Sequence, residues 1–135
     1  MNVHREQIEA LCRENRLQLM YVFGSRAAEV WALLNGDEKS LPKSASDVDI
    51  GILPAAALTL EQKINLALAL EKIFDIERVD LISLAEADPF LAANIIRGER
   101  LYAFDAYDAD EYDLYVLRRA GDLAEVERMY KENLF

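Results

Sequence analysis

A single cysteine and a single histidine are all that these 135 residues offer to sulfur and imidazole chemistry. Cys12 alone can close neither an internal disulfide nor a cysteine zinc cluster. It lies one turn from Ile8 and beside Leu11, so it reads as core filler. With His4 as the only imidazole, histidine-assisted serine or cysteine hydrolases and multi-histidine metal sites are excluded. No apolar run approaches the ~20 residues that span a bilayer. The first helix-like stretch carries Arg5, Glu6, Glu9, Arg13 and Glu14, unlike a signal peptide, and a cytoplasmic location is expected. A basic stripe is also missing, and the formal net charge is −10. Stable nucleic-acid binding by this chain alone is therefore not expected, whereas a basic protein partner is.

What is present is enough for one folded domain. Hydrophobic residues make up 53% of the chain and charged residues 30%, which fits a single domain over residues 1–135 with one core. Any catalysis must run on carboxylates, hydroxyls, backbone amides and a hard cation such as magnesium, whose preferred ligands are oxygens.

Helical and strand periods alternate along the chain, which predicts an α/β (α+β) fold with a small mixed sheet flanked by helices. Residues 4–15 place Ile8, Leu11 and Cys12 on one helical face. Leu17 to Phe23 is a strand ending at Gly24-Ser25, followed by a helix from Arg26 to Leu34 and a polar loop from Gly36 to Ser46. Asp47 to Leu53 alternates in period two and stops at Pro54. Thr59 is placed to cap the next helix, with Leu60, Ile64, Ala67 and Leu68 as its apolar stripe. Glu77 to Ser83 is a third strand. Asp88-Pro89 starts a helix that ends at Gly98, and Arg100 to Phe104 is a short edge strand. A C-terminal helical segment covers about residues 108–134, with a break expected at Gly121-Asp122 and Leu123, Val126 and Tyr130 on one side.

Strand alternation sends Asp47 and Asp49 to one side while Val48 and Ile50 go to the other. Two carboxylates on one strand face repel and resist burial. Asp80, between Val79 and Leu81, repeats the pattern on a second apolar strand. If the two strands are neighbours with acidic faces together, three carboxylates converge, and a pair of divalent cations would neutralise them. Gly24-Ser25 sits at a strand-to-helix turn, where glycine allows close backbone approach and the helix start offers unpaired amides. The Ser25 hydroxyl adds a donor, and Arg26 is either a further phosphate ligand or a solvated helix-start cation. A phosphate cradle plus metal ligands are the two parts that nucleotidyl transfer needs.

The order of strand, Gly24-Ser25, helix, Asp47-Val48-Asp49 and then a later strand aspartate resembles the polymerase-β-type nucleotidyltransferase superfamily. More narrowly, the chain looks like the minimal nucleotidyltransferase (MNT) antitoxins that accompany HEPN toxins. The likeness runs from about Leu17 to Asp105 through FGSRA, SDVDIGI, ERVDLI and RGERLYAFD. It implies that Gly24 and Ser25 hold nucleotide phosphates and that Asp47, Asp49 and Asp80 bind two magnesium ions. It also implies that Asp80 helps deprotonate the acceptor and that AMP passes from ATP to a tyrosine of the partner toxin. The chain departs from the family in its longer stretch from Arg26 to Ser46, with Asn35 to Ser44 as an inserted loop over the site. It departs again at Ala28-Glu29, where a glycine is usual.

Each feature also has a plainer reading. A lone DxD is often just a solvated strand face, and it is the order of all three signals that makes a site. Lys39 and Lys43 are either phosphate contacts or surface charge. The acidic run Asp105, Asp108, Asp110, Glu111 and Asp113 suits a helix N-terminus or a docking patch for a basic partner. Tyr102, Tyr107, Tyr112, Tyr115 and Tyr130 are core or interface groups, or self-modification acceptors, and Trp31 belongs to the core or stacks on adenine. The competing functions are a non-catalytic binding module that neutralises its partner by complex formation and a small-molecule nucleotidyltransferase.

Overall fold

The fold is that of a computed structural model, which describes residues 2–133. Its elements run α1 (Val3–Glu14), β1 (Leu17–Phe23), α2 (Ala27–Leu34), β2 (Val48–Pro54), α3 (Leu60–Phe74), β3 (Val79–Ser83), α4 (Pro89–Ile96), β4 (Glu99–Ala103) and α5 (Ala106–Asn133). Residue 134, the end of the expected helical segment, lies outside the described residues.

Local chemistry explains the helix starts. Asn2 caps α1 through its side chain, which accepts from the Arg5 amide, and Thr59 and Gln62 form a reciprocal capping box on α3. Asp88 accepts from the Phe90 and Leu91 amides ahead of Pro89 in α4.

The sheet is mixed, with strand order β3-β2-β1-β4. The strand β1 pairs antiparallel with both β2 and β4, while β2 and β3 are parallel, joined by the α3 crossover. Being central, β1 buries both faces. Met20 and Val22 join a core with Ile8, Cys12, Val30, Leu33, Ile50, Leu66, Leu70 and Phe74. Leu19, Tyr21 and Phe23 join a second core with Ala93, Ile95, Ile96, Ala109 and Val116. Helices α1, α2 and α3 therefore cover one face, and α4 and α5 the other. Cys12 is fully buried, and desolvation pushes its thiol up to about 12. The edge position expected for the fourth strand is observed.

Two expectations are corrected. In α3 the buried residues are Leu66, Leu70 and Phe74, while Leu60, Ile64 and Leu68 are half or more exposed. The run Leu66-Ala67-Leu68-Ala69-Leu70 is apolar all round the helix, so the sequence leaves the phase of the stripe undetermined. Helix α5 also continues through Gly121 without a break. One interior glycine costs only about 1 kcal/mol relative to alanine. The pairs Arg128–Glu125, Arg128–Glu132 and Lys131–Glu127, at i,i+3 and i,i+4 spacing, support the turns beyond it.

Candidate functional site

The backbone register brings the acidic strands together. In the parallel β2–β3 pair Val48 faces Val79 and Asp49 faces Asp80. Val48 and Ile50 point into the first core, so Asp49 lies on the opposite face, the one covered by α4 and α5. On the other side of β2, Asp49 is the register partner of Phe23, the last residue before Gly24.

Gly24 has φ +77°, and a Cβ built on it would collide with Asp49 Oδ2. The glycine–serine corner therefore abuts the central carboxylate, and a side chain there would be strained and would have to push that carboxylate aside. Gly24 and Ser25 are exposed. Arg26, directly after them, is the N-cap of α2 and makes no side-chain cap to its first amides. Those amides and the positive end of the helix dipole make an anion-ready surface.

The carboxylates feel one another. Burial first, then the charges of Asp80 and Asp47, hold the Asp49 carboxyl above its ordinary range. Asp47 immediately precedes β2, and its Oδ2 lies 3.5 Å from Arg78 Nε. Arg78 stands two residues before Asp80, and its carbonyl accepts from the Val48 amide at 3.3 Å. Sequence reasoning missed this pairing of Arg78 with Asp47. The signal was the i−2 spacing of Arg78 from Asp80, which becomes meaningful once the β2–β3 register sets it beside Asp47.

Among the described residues no group of three His, Cys, Asp or Glu side chains is arranged to hold a metal ion, so the convergence of all three carboxylates expected from the sequence is not seen. Asp49 and Asp80 are neighbours across the β2–β3 register, and this oxygen-only pair, under mutual repulsion, suits a hard divalent cation. Magnesium characteristically takes one or two carboxylates and fills its shell with water and substrate phosphates rather than entering an all-protein cage.

The structure gives Arg26 surroundings unlike those of a solvated helix-start cation. The residue is 3% exposed. Its Nε donates to Glu29 Oε2 at 3.0 Å, Nη1 to the Ser46 carbonyl at 3.4 Å, and Nη2 to the Pro42 carbonyl. The guanidinium thus ties the start of α2 to the segment that leads into Asp47. Leu41 anchors the same loop by packing against the first core, while Lys39 and Lys43 stay exposed.

Arg26→Lys is expected to lose most of this tie, because a point-charge ammonium cannot serve three divergent acceptors at once. Destabilisation of about 1–3 kcal/mol in urea is expected, with faster proteolysis between residues 36 and 46. Unchanged proteolysis would mean that the loop does not depend on Arg26.

A mixed sheet with a glycine–serine corner on one strand and aspartates on the next two is the arrangement of a nucleotidyltransferase domain. The chain belongs to the polymerase beta nucleotidyltransferase family, whose model matches residues 6–107. Among curated proteins, none matches the chain. Solved structures share the fold over nearly its whole length. A mutant MntA toxin–antitoxin complex superposes with TM-score 0.69 at 24% identity, covering 97% of this chain and 98% of that one. A toxin–antitoxin complex with AMP-PNP gives 0.68 at 25% identity, with coverage of 97% and 98%. The tri-AMPylated HEPN toxin of Shewanella oneidensis in complex with MNT antitoxin gives 0.66 at 23% identity, with 98% of each chain covered. No helix among the described residues is long and apolar enough to cross a membrane.

Proposed function

We propose that this nucleotidyltransferase transfers AMP from ATP to a tyrosine of a HEPN ribonuclease toxin and so acts as its antitoxin. The observation that carries the reading is the contact of Gly24 with Asp49 Oδ2, together with the register pairing of Asp49 and Asp80. The closeness of this corner to Asp49 supports reading it as the holder of phosphates beside the carboxylates. The similarity to the complex of a tri-AMPylated HEPN toxin with MNT antitoxin supports a toxin as the acceptor.

In this reading Gly24, Ser25 and the first amides of α2 hold the triphosphate. Asp47, Asp49 and Asp80 would hold two magnesium ions, which when bound neutralise charge on the phosphates and lower the pKa of a coordinated hydroxyl. The tyrosine oxygen forms a bond to the α-phosphorus as the bond from that phosphorus to the bridging oxygen breaks. Pyrophosphate leaves, and Asp80 takes up the hydroxyl proton. Arg26 contributes by fixing the loop that delivers Asp47 rather than by touching phosphate.

Incubation with ATP labelled in the adenosine moiety, magnesium and purified HEPN toxin tests this directly. Label is expected on a toxin tyrosine, and none with Asp47→Ala. Full neutralisation of the toxin by that variant without label transfer would favour the plain binding module.

A further inference from the structure

An apolar groove opens on the same sheet face as the carboxylates but at the other end of the strands. It encloses about 290 Å³ between Leu19, Leu53, Ala109 and Tyr112, with Phe104, Asp105 and Asp108 at its rim. Leu19 and Leu53 are register partners across β1 and β2. Leu53 lies four positions beyond Asp49, about 13 Å along an extended strand.

Two features set this groove apart from ordinary surface. The Phe104 amide donates to the Gln18 carbonyl at 2.9 Å, yet the residue is 76% exposed. An aromatic left out of the core is the kind of group that anchors a protein interface. Along α5 the fold also leaves some acids unpaired. Arg100 binds Asp110 and Asp113, whereas Asp105 and Asp108, the two acids on the groove, have no cation within 4 Å among the described residues. They lie at the N-terminal end of α5, where the helix dipole favours negative charge, and Asp105 caps the Asp108 amide.

We infer that this groove docks a basic segment of the acceptor protein. An arginine or lysine of that segment lays its aliphatic stem on Leu53 and Phe104, over the buried Leu19, and places its charged head between Asp105 and Asp108. Charge decides the occupant, since the chain carries a net −10 and neither rim acid has a cationic partner among the described residues. A second copy of this chain or an acidic polymer would bring like charge to them. The inference rests on the reading that the acceptor is a protein. It makes partner choice a property of a surface separate from the reacting centre.

The test is the double variant Asp105→Asn, Asp108→Asn, beside Phe104→Ala. Asparagine at position 105 keeps a capping side chain, so the double variant removes charge and not the helix start. In transfer assays with HEPN toxin the KM for toxin is expected to rise about tenfold at low salt. The kcat and the KM for ATP should stay as in the parent. Raising salt should weaken the parent and barely affect the double variant. Calorimetry of the same proteins against toxin, without metal or nucleotide, reads docking apart from chemistry. Tenfold weaker binding supports the groove even if no label is ever transferred. Equal binding by parent and variants overturns it, and so does a loss confined to self-association or to kcat.

Discussion

Asp49→Asn is expected to abolish nucleotidyl transfer and, without divalent metal, to raise the stability of the folded chain at neutral pH. The two effects share one cause. Asp49 is the carboxylate held against Gly24 and opposite Asp80, and its charge is disfavoured by burial and by the neighbouring acids. A carboxyl whose folded pKa is raised binds more protons in the native state than in the unfolded one. Stability from this group therefore falls as pH climbs from the ordinary aspartate value of about 3.9 through the raised folded value. Asparagine fills the same space without charge, so that part of the pH dependence disappears. The loss of activity should be at least about 10²–10³-fold, the range for removing one preorganised electrostatic group. Thermal melts from pH 3 to 8 with chelator read the first effect. Magnesium titration reads the second, because the parent should gain Tm with metal and the variant should gain less. A variant that melts below the parent at pH 7 and responds equally to magnesium would remove Asp49 from the metal site.

The sequence carried the parts of the fold in which periodicity and burial agree. Leu17 to Phe23 and the alternation around Asp49 read as strands because each side chain has one of two faces to choose. The adjacency of Asp49 and Asp80 was legible only as a condition, that the two strands be neighbours, and the parallel β2–β3 register fulfils it. The α3 stripe was illegible for the opposite reason. Five consecutive apolar residues satisfy any phase, and only the position of β3 and α1 against that helix selects Leu66, Leu70 and Phe74. Arg26 and Arg78 were out of reach for a third reason. The partners of Arg26 include carbonyls 16 and 20 residues away in a loop without period, and Arg78 meets Asp47 only through strand pairing. Chemistry-bearing residues were visible as types, while their counter-ions depended on register.

Gly24→Ala should have the second large effect, and a control within the same chain separates its causes. Both Gly24, at φ +77°, and Gly36, at φ +82°, occupy the left-handed region, where a side chain costs about 1–2 kcal/mol. Around Gly36 a new Cβ would meet only Asn2 Nδ2 at 3.7 Å, an ordinary contact, whereas at Gly24 it would collide with the carboxylate of Asp49. Both alanine variants are therefore expected to lose about 1–2 kcal/mol in urea unfolding through backbone strain alone. Only Gly24→Ala must also displace either the glycine–serine corner or Asp49, and a misplacement of about 1 Å at a reacting centre costs on the order of 10²-fold in rate. Transfer assays at saturating ATP should thus show Gly36→Ala close to the parent and Gly24→Ala slowed about a hundredfold. Ser25→Ala, which leaves the backbone alone, should mainly raise the KM for ATP. Equal slowing in the two glycine variants would trace the defect to general destabilisation and would detach the Gly24–Asp49 contact from catalysis.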